Sequence, residues 1–207
     1  MKRSGTARYR NLIETEWVDY CSNLNELLTG ILLDTRTPVE RVALTVSRLK
    51  NAGLLGFWEM QRFAKESDDP LGTITKVLKA TGYIWYNQKA ALFLQDLPFK
   101  TEFELSNANW QTIQTIKGIG PKLASLWVRI VHDETEIAII DTHVKRWLRD
   151  VVGTQSNDYL ELSRIVKEEA LSRGMSLDEL DRLIVENGQA KRLGLLVRDI
   201  PPRVMRK

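Results

Sequence analysis

Apolar residues spaced at the helical period limit this chain's fold more than any other feature. Leu24, Leu27, Leu28, Ile31 and Leu32 fall at i, i+3, i+4, i+7 and i+8, which lays an apolar stripe along one helix. Leu123, Leu126, Trp127, Ile130 and Val131 repeat that spacing. Val39, Val42, Val46 and Leu49 mark another helix, starting after Pro38, and Tyr86, Ala90, Phe93 and Leu94 mark a fourth. Weaker helical patterns run through 10–20, 70–80, 106–116, 142–151, 158–172 and 177–187. Only Glu136 to Ile140 has strand character, and so short and solitary a run cannot found a sheet. The predicted fold class is all-α.

Composition sets the outer bounds. With 207 residues, 43% hydrophobic and 28% charged, the chain has globular composition, which excludes collagen-like, low-complexity and disordered classes. No apolar run approaches the ~18 residues of a membrane span. The basic start, Met1-Lys2-Arg3-Ser4-Gly5, leads into polar sequence rather than a secretory signal. Cys21 is the only cysteine, which rules out intrachain disulfides, zinc fingers and a four-cysteine iron–sulfur cluster. A reducing cytosolic or nuclear compartment is expected. His132 and His143 lack partners at ligand spacing, so no side-chain metal site is expected.

Net charge is +3 and the pI near 9.0, which permits a polyanionic partner. Basic residues gather at the end: Lys191, Arg192, Arg198, Arg203, Arg206 and Lys207 stand against Asp199 alone. Such a tail is by default a solvated end, and it is also compatible with a phosphate-contacting arm.

The most informative stretch is Thr115 to Ser125, which contains Lys117-Gly118-Ile119-Gly120-Pro121-Lys122 between two apolar-periodic helices, 110–116 and 121–131. Two glycines one residue apart allow a tight turn with positive φ and close backbone approach. Pro121 suits the opening of the second helix, whose free N–H groups attract anions. The unit reads as a helix–hairpin–helix able to clasp a phosphate without reading bases. The alternative is an ordinary corner inside a helical bundle. A second segment, Ala138 to Trp147, leads an apolar run into Asp141, which stands where a helix N-cap belongs. Taken singly, Asp141 is a cap and Lys122 a solvated helix lysine.

Taken together, Gly118-Ile119-Gly120-x-Lys122-x-Ala124 followed by Ile140-Asp141-Thr142-His143 resembles the helix–hairpin–helix DNA glycosylase superfamily, which includes endonuclease III and the 8-oxoguanine glycosylases. It is most similar to the small archaeal-type 8-oxoguanine glycosylases. Weaker similarity extends to Gly82-x-x-x-Tyr86-x-x-Lys89-Ala90 and to the helix at 24–33 with Asp34-Thr35-Arg36-Thr37 after it. The resemblance implies two helical lobes with a DNA-binding cleft between them. One would be a central bundle, 23–135, holding the helix–hairpin–helix at about 107–131; the other would be built from 1–22 and 136–207.

The resemblance also implies roles. Lys122 would attack C1′ of the damaged nucleotide, and Asp141 would assist. Gly118, Ile119 and Gly120 would offer backbone N–H groups to a DNA phosphate, with a monovalent cation at the hairpin backbone, and His143 would touch a neighbouring phosphate. Arg36 stands where relatives carry an amide residue that fills the gap left by base flipping, so the opposite-strand contact differs here. Lys89 could touch backbone phosphate, an exposed helix lysine being its default. Trp85, Tyr86, Trp17, Trp58 and Trp127 are the aromatic platforms available to a flipped base, of which Trp127 fits its helix's core stripe and Trp85 and Tyr86 are the pocket candidates.

The chemistry suits these residue types. An N-glycosidic bond breaks through a cation-like sugar that a nearby carboxylate stabilises. A lysine attacks only as the free amine, and at an ordinary pKa near 10.4 only about one in a thousand is neutral near pH 7.5. Lys122 therefore needs partial burial together with the positive end of its own helix. Its imine product acts as an electron sink for β-elimination, so a glycosylase with this lysine is also an AP lyase. The expected protein is a base-excision repair glycosylase/lyase acting on double-stranded DNA with a modified base or an abasic site. It would work as a cytoplasmic, nucleoid-associated monomer without organic cofactor or membrane contact. 8-Oxoguanine heads the candidate bases, although the likeness to the relatives' C-terminal helix ends near Lys191, before Lys207. Alternatives are a different modified base, or a hairpin DNA-binding protein without chemistry.

Overall fold

The computed structural model describes residues 21–34, 37–55, 57–95, 100–192 and 200. Trp17 and the helix expected at 10–20, Arg36, the side chain of Trp58 and the tail residues Arg198, Arg203, Arg206 and Lys207 lie outside the described residues. Helices account for all regular structure among them, in agreement with the all-α expectation. None is long and apolar enough to cross a membrane. The chain divides into two compact units, 1–131 and 132–207. The second unit thus begins at His132, earlier than the boundary expected at 136.

In the first unit the order is α1 (Leu24–Leu33), α2 (Val39–Asn51), α3 (Phe57–Glu66), α4 (Pro70–Ala80), α5 (Tyr86–Gln95), α6 (Glu102–Ser106), α7 (Trp110–Ile113) and α8 (Pro121–His132). The apolar stripe of α1 understates its burial: Asn25, Glu26, Thr29 and Gly30 are buried along with Leu27, Leu28, Ile31, Leu32 and Leu33. A helix enclosed on every side is the centre of its unit, and α2, α5 and α6 pack around it. Its N-terminus shows how the polar groups survive there. Asn23 caps it, and the Glu102 carboxylate accepts from the Leu24 N–H at 3.0 Å and the Asn25 amide at 2.9 Å. Orphan helix donors are thus satisfied from α6, far along the chain.

The helix expected over 106–116 shrinks to α7, Trp110–Ile113, and Ser106 belongs to the end of the separate helix α6. Asn107 ends α6 with its amide on the Phe103 carbonyl, and Asn109 starts α7 by accepting the N–H groups of Gln111 and Thr112. Asparagine side chains compete with the helix ladder in this way. Trp127 is core, as its periodicity predicts: it is fully buried, and its indole donates to the Ala108 carbonyl at 3.2 Å.

The second unit comprises α9 (Thr142–Trp147), which runs into a wide π turn at Leu148–Val152, then α10 (Tyr159–Ser172) and α11 (Leu177–Arg192). Its core joins Ile140, Val144, Trp147 and Leu148 to Leu162, Val166, Leu180 and Ile184. The run from Glu136 to Ile140 forms no strand and bends at Glu136 and Ile137. Its backbone is satisfied by α10 instead: the Ala138 N–H donates to Ser163 Oγ at 2.8 Å, the Ile140 N–H donates to Tyr159 Oη at 2.9 Å, and Tyr159 donates to the Ala138 carbonyl at 3.0 Å. These bonds replace a strand partner and aim the chain into Asp141.

Candidate active site

The hairpin turn lies against the first unit's core at one glycine. Gly118 has φ +95°, and a Cβ built there would meet Leu92 Cδ1 at 2.6 Å and Leu32 Cδ2 at 3.3 Å. Its backbone therefore touches α5 and α1 in a conformation that L residues with a side chain rarely adopt. Gly120 is different: its φ is not positive and a Cβ would meet nothing within 4 Å. The reading of both glycines as turn formers holds only for Gly118. The Ile119 N–H donates to the Ile116 carbonyl at 3.0 Å, so it is not the free phosphate donor that was expected. Among the described residues no backbone carbonyl accepts the N–H of Gly118 or Gly120. Between Thr115 and Lys122 the chain has no carboxylate, so a cation at the turn would have neutral oxygens to bind, a set that suits a singly charged ion better than calcium or magnesium, which recruit acidic ligands.

Pro121 opens α8, and the hairpin is braced by Trp110, whose indole donates to Ser125 Oγ at 3.0 Å while the Ser125 hydroxyl donates to the Pro121 carbonyl at 3.1 Å. Lys122 follows in the first turn of α8. Its side chain is partly buried, 41% exposed, and its Nζ lies 3.7 Å from Asp34 Oδ2. Asp34, 18% exposed, is the C-cap of α1, with its own N–H on the Gly30 and Ile31 carbonyls.

Burial falls on the neighbours of Lys122. Burial pushes the Asp34 carboxyl above its ordinary value, while the positive charges of Lys122 and Lys89 pull it down. Lys89 is only 7% exposed, which corrects the default reading of an exposed helix lysine. Burial pushes its ammonium down to about 8, against an upward pull from Asp34. Tyr83 is buried too and donates to the Leu33 carbonyl at 3.2 Å. Burial raises its hydroxyl to about 12, a Thr37 hydrogen bond lowers it, and the Asp34 charge raises it. Sequence reasoning noted Asp34 only as part of a weak family likeness and did not single out Tyr83. The usable signal was a carboxylate placed straight after the apolar run Ile31-Leu32-Leu33, at the end of a helix that the core encloses. Trp85 is 40% exposed and Tyr86 half-buried, on the loop and first turn leading to Lys89.

In the second unit Asp141 is the N-cap of α9, as its sequence context predicts, with Oδ1 accepting the Val144 N–H at 2.8 Å. Among the described residues its other oxygen accepts no hydrogen bond, and the side chain is half-buried. His143 packs so closely on α11 that a Cβ at Gly188 would meet its Nδ1 at 2.0 Å. That nitrogen is buried and has no hydrogen-bond partner, which leaves Nε2 as the ring atom able to reach a ligand.

No protein-family model matches the sequence. Solved structures do match in fold. The 8-oxoguanine DNA glycosylase of Methanocaldococcus jannaschii is 23% identical with a TM-score of 0.58, over 95% of this chain and 87% of that one. The 3-methyladenine DNA glycosylase MagIII of Helicobacter pylori, bound to 1,N6-ethenoadenine, is 21% identical with a TM-score of 0.60, over 88% of this chain and 92% of that one. A trapped endonuclease III–DNA covalent intermediate gives 15% identity and a TM-score of 0.64, over 86% of this chain and 78% of that one. The fold is the one shared by helix–hairpin–helix DNA glycosylases.

Proposed function

We propose that this chain is a DNA glycosylase with associated AP lyase activity, in which Lys122 is the nucleophile and Asp141 the assisting carboxylate. The observation that carries it is an accessible amine in the first turn of the hairpin's second helix, next to a buried-side carboxylate, on a glycosylase fold. The proposed scheme begins with the Lys122 lone pair bonding to C1′ as the C1′–N bond to the base breaks. That bond's electrons leave with the base, which takes up a proton, and the Asp141 carboxylate stabilises the positive charge that develops on the sugar. Opening of the sugar ring gives an iminium. Loss of the C2′ proton and departure of the 3′ phosphate then complete β-elimination, and water releases the amine.

DNA is held by charge and by the hairpin. The N–H groups of Gly118 and Gly120 are the proposed phosphate donors, and His143 Nε2 contacts a second phosphate. Turn carbonyls would hold a monovalent cation, whose charge would strengthen the grip on that phosphate. Trp85 and Tyr86 would stack on the extruded base. The scheme needs no organic cofactor or iron–sulfur cluster, and a single chain suffices on duplex DNA. Among bases 8-oxoguanine is the first candidate, because the M. jannaschii protein is named for it, while MagIII is bound to ethenoadenine on the same fold.

Incision of duplexes that each carry one modified base tests this reading, with 8-oxoguanine, thymine glycol, uracil, hypoxanthine and modified cytosines in the panel. The expected result is release of one of these bases, with a nick that needs no added alkali. Salt-sensitive binding with no base release on any duplex identifies a DNA-binding module instead.

A further inference from the structure

We propose that Asp34 is the general base of this site: it takes a proton from the Lys122 ammonium before attack and passes it to the hydroxyl that leaves as the imine forms. The assignment rests on the glycosylase/lyase reading above and deepens it. Three elements bring the pair together. Leu32 on α1 and Leu92 on α5 both touch the hairpin at Gly118. Asp34 lies two residues after Leu32, Lys89 three residues before Leu92 on the same helical face, and Lys122 four after Gly118. The contact that needs a glycine thus sets Lys122 Nζ 3.7 Å from the Asp34 carboxylate.

Both charges stand at the wrong helix ends. Asp34 caps the C-terminus of α1, the negative end of a ten-residue helix, and Lys122 lies in the first turn of twelve-residue α8, the positive end. Moving one proton from the amine to the carboxyl neutralises both unfavourable placements at once. The groups that face Asp34 are Lys122 from α8, Lys89 from α5 and the Tyr83 hydroxyl from the loop between α4 and α5. Burial raises the carboxyl's affinity for a proton on balance, while the charges of Lys122 and then Lys89 favour its ionised form.

At an abasic site the step balances. The ammonium gives one proton to Asp34 and becomes the free amine. Its lone pair bonds to the C1′ aldehyde carbon, and one N–H proton passes to the former carbonyl oxygen. Asp34 then protonates that hydroxyl, which leaves as water while the nitrogen lone pair forms the iminium. The carboxylate is regenerated.

Borohydride trapping on an abasic duplex under single-turnover conditions, between about pH 5.5 and 9, tests the assignment. Asp34→Asn is expected to trap about a hundredfold more slowly than wild type near pH 7 and to recover as pH rises. Its Kd for a duplex with a tetrahydrofuran abasic analogue should change less than about threefold. Asp34→Glu should regain part of the rate. Lys89→Met removes one of the cations that favour the ionised form of Asp34, so its acid limb should move to higher pH. Simple electrostatics predicts the opposite for Asp34→Asn, since loss of a neighbouring anion favours the free amine. A rate unchanged or raised in Asp34→Asn therefore overturns the proposal, as does a parallel fall in rate and binding, an Asp34→Glu no faster than Asp34→Asn, or an unmoved acid limb in Lys89→Met. Wild type that forms no adduct overturns the glycosylase reading itself and takes this assignment with it.

Discussion

Lys122 and Asp141 stand in units that position a side chain in different ways. In the first unit Lys122 depends on residues far apart along the chain: Leu32, Leu92 and Gly118 set the hairpin, and Asp34 meets the amine from another helix. In the second unit Asp141 is set by its neighbours, with its carboxylate accepting from the N-terminus of its own helix and Tyr159 and Ser163 fixing the approach. A site held by local capping tolerates change around it, whereas one held by a close backbone approach does not. The glycosylase-type chemistry proposed here needs one group of each kind.

The sharpest way to break this contrast is at the two hairpin glycines. Gly118→Ala is expected to cost about 2–4 kcal/mol, from the positive φ and from the clash with Leu92, whereas Gly120→Ala should stay within about 0.5 kcal/mol. Urea midpoints of the two variants measure the difference, and equal losses would mean that the hairpin is not seated at Gly118.

Next in size is the buried cation. Lys89 is pushed down to about 8, so below that pH its charge weakens the fold, by up to about 3 kcal/mol. Between about 8 and the ordinary lysine value the unfolded chain binds more protons than the folded one, so stability rises with pH across that window. Lys89→Met should therefore be more stable than wild type near pH 7, with the gap closing toward pH 10 in denaturation series. Tyr83, raised to about 12, works in reverse: the folded protein keeps its proton longer, so stability falls from about pH 10 to 12.

A smaller effect tests the second unit. Tyr159→Phe removes the hydroxyl that serves both Ile140 and Ala138 and should cost about 1–2 kcal/mol. Smallest of all, Asp141→Asn keeps a competent cap and should leave stability within about 0.5 kcal/mol. Under the proposed scheme it slows base release strongly with little loss of DNA affinity. Equal loss of both would assign Asp141 to structure alone.

The same contrast explains what could be read from the chain in advance. Helices with strong apolar periodicity and the cap at Asp141 were legible because periodicity and capping are local, within one or two turns of the residue concerned. The late start of the helix expected at 106–116 was missed although Asn107 and Asn109 mark it, because each asparagine alone is tolerated in a helix. Lys89 was misread because a single lysine on an amphipathic helix looks solvated until the opposing element is known. Asp34 meets Lys122 across 88 positions, and no spacing rule connects them. The phosphate role given to Ile119 failed for a smaller reason: the turn itself consumes that N–H, a detail of backbone geometry that Gly-x-Gly does not specify.

The identity of the attacking amine is the most direct test of the central proposal. Two lysines flank Asp34, and Lys89 is the one whose buried ammonium is pushed down to about 8. The measurement is mass-spectrometric mapping of the borohydride-trapped peptide on abasic DNA. The expected result is an adduct on Lys122 that Lys122→Ala abolishes; an adduct on Lys89, or one that survives in Lys122→Ala, contradicts it.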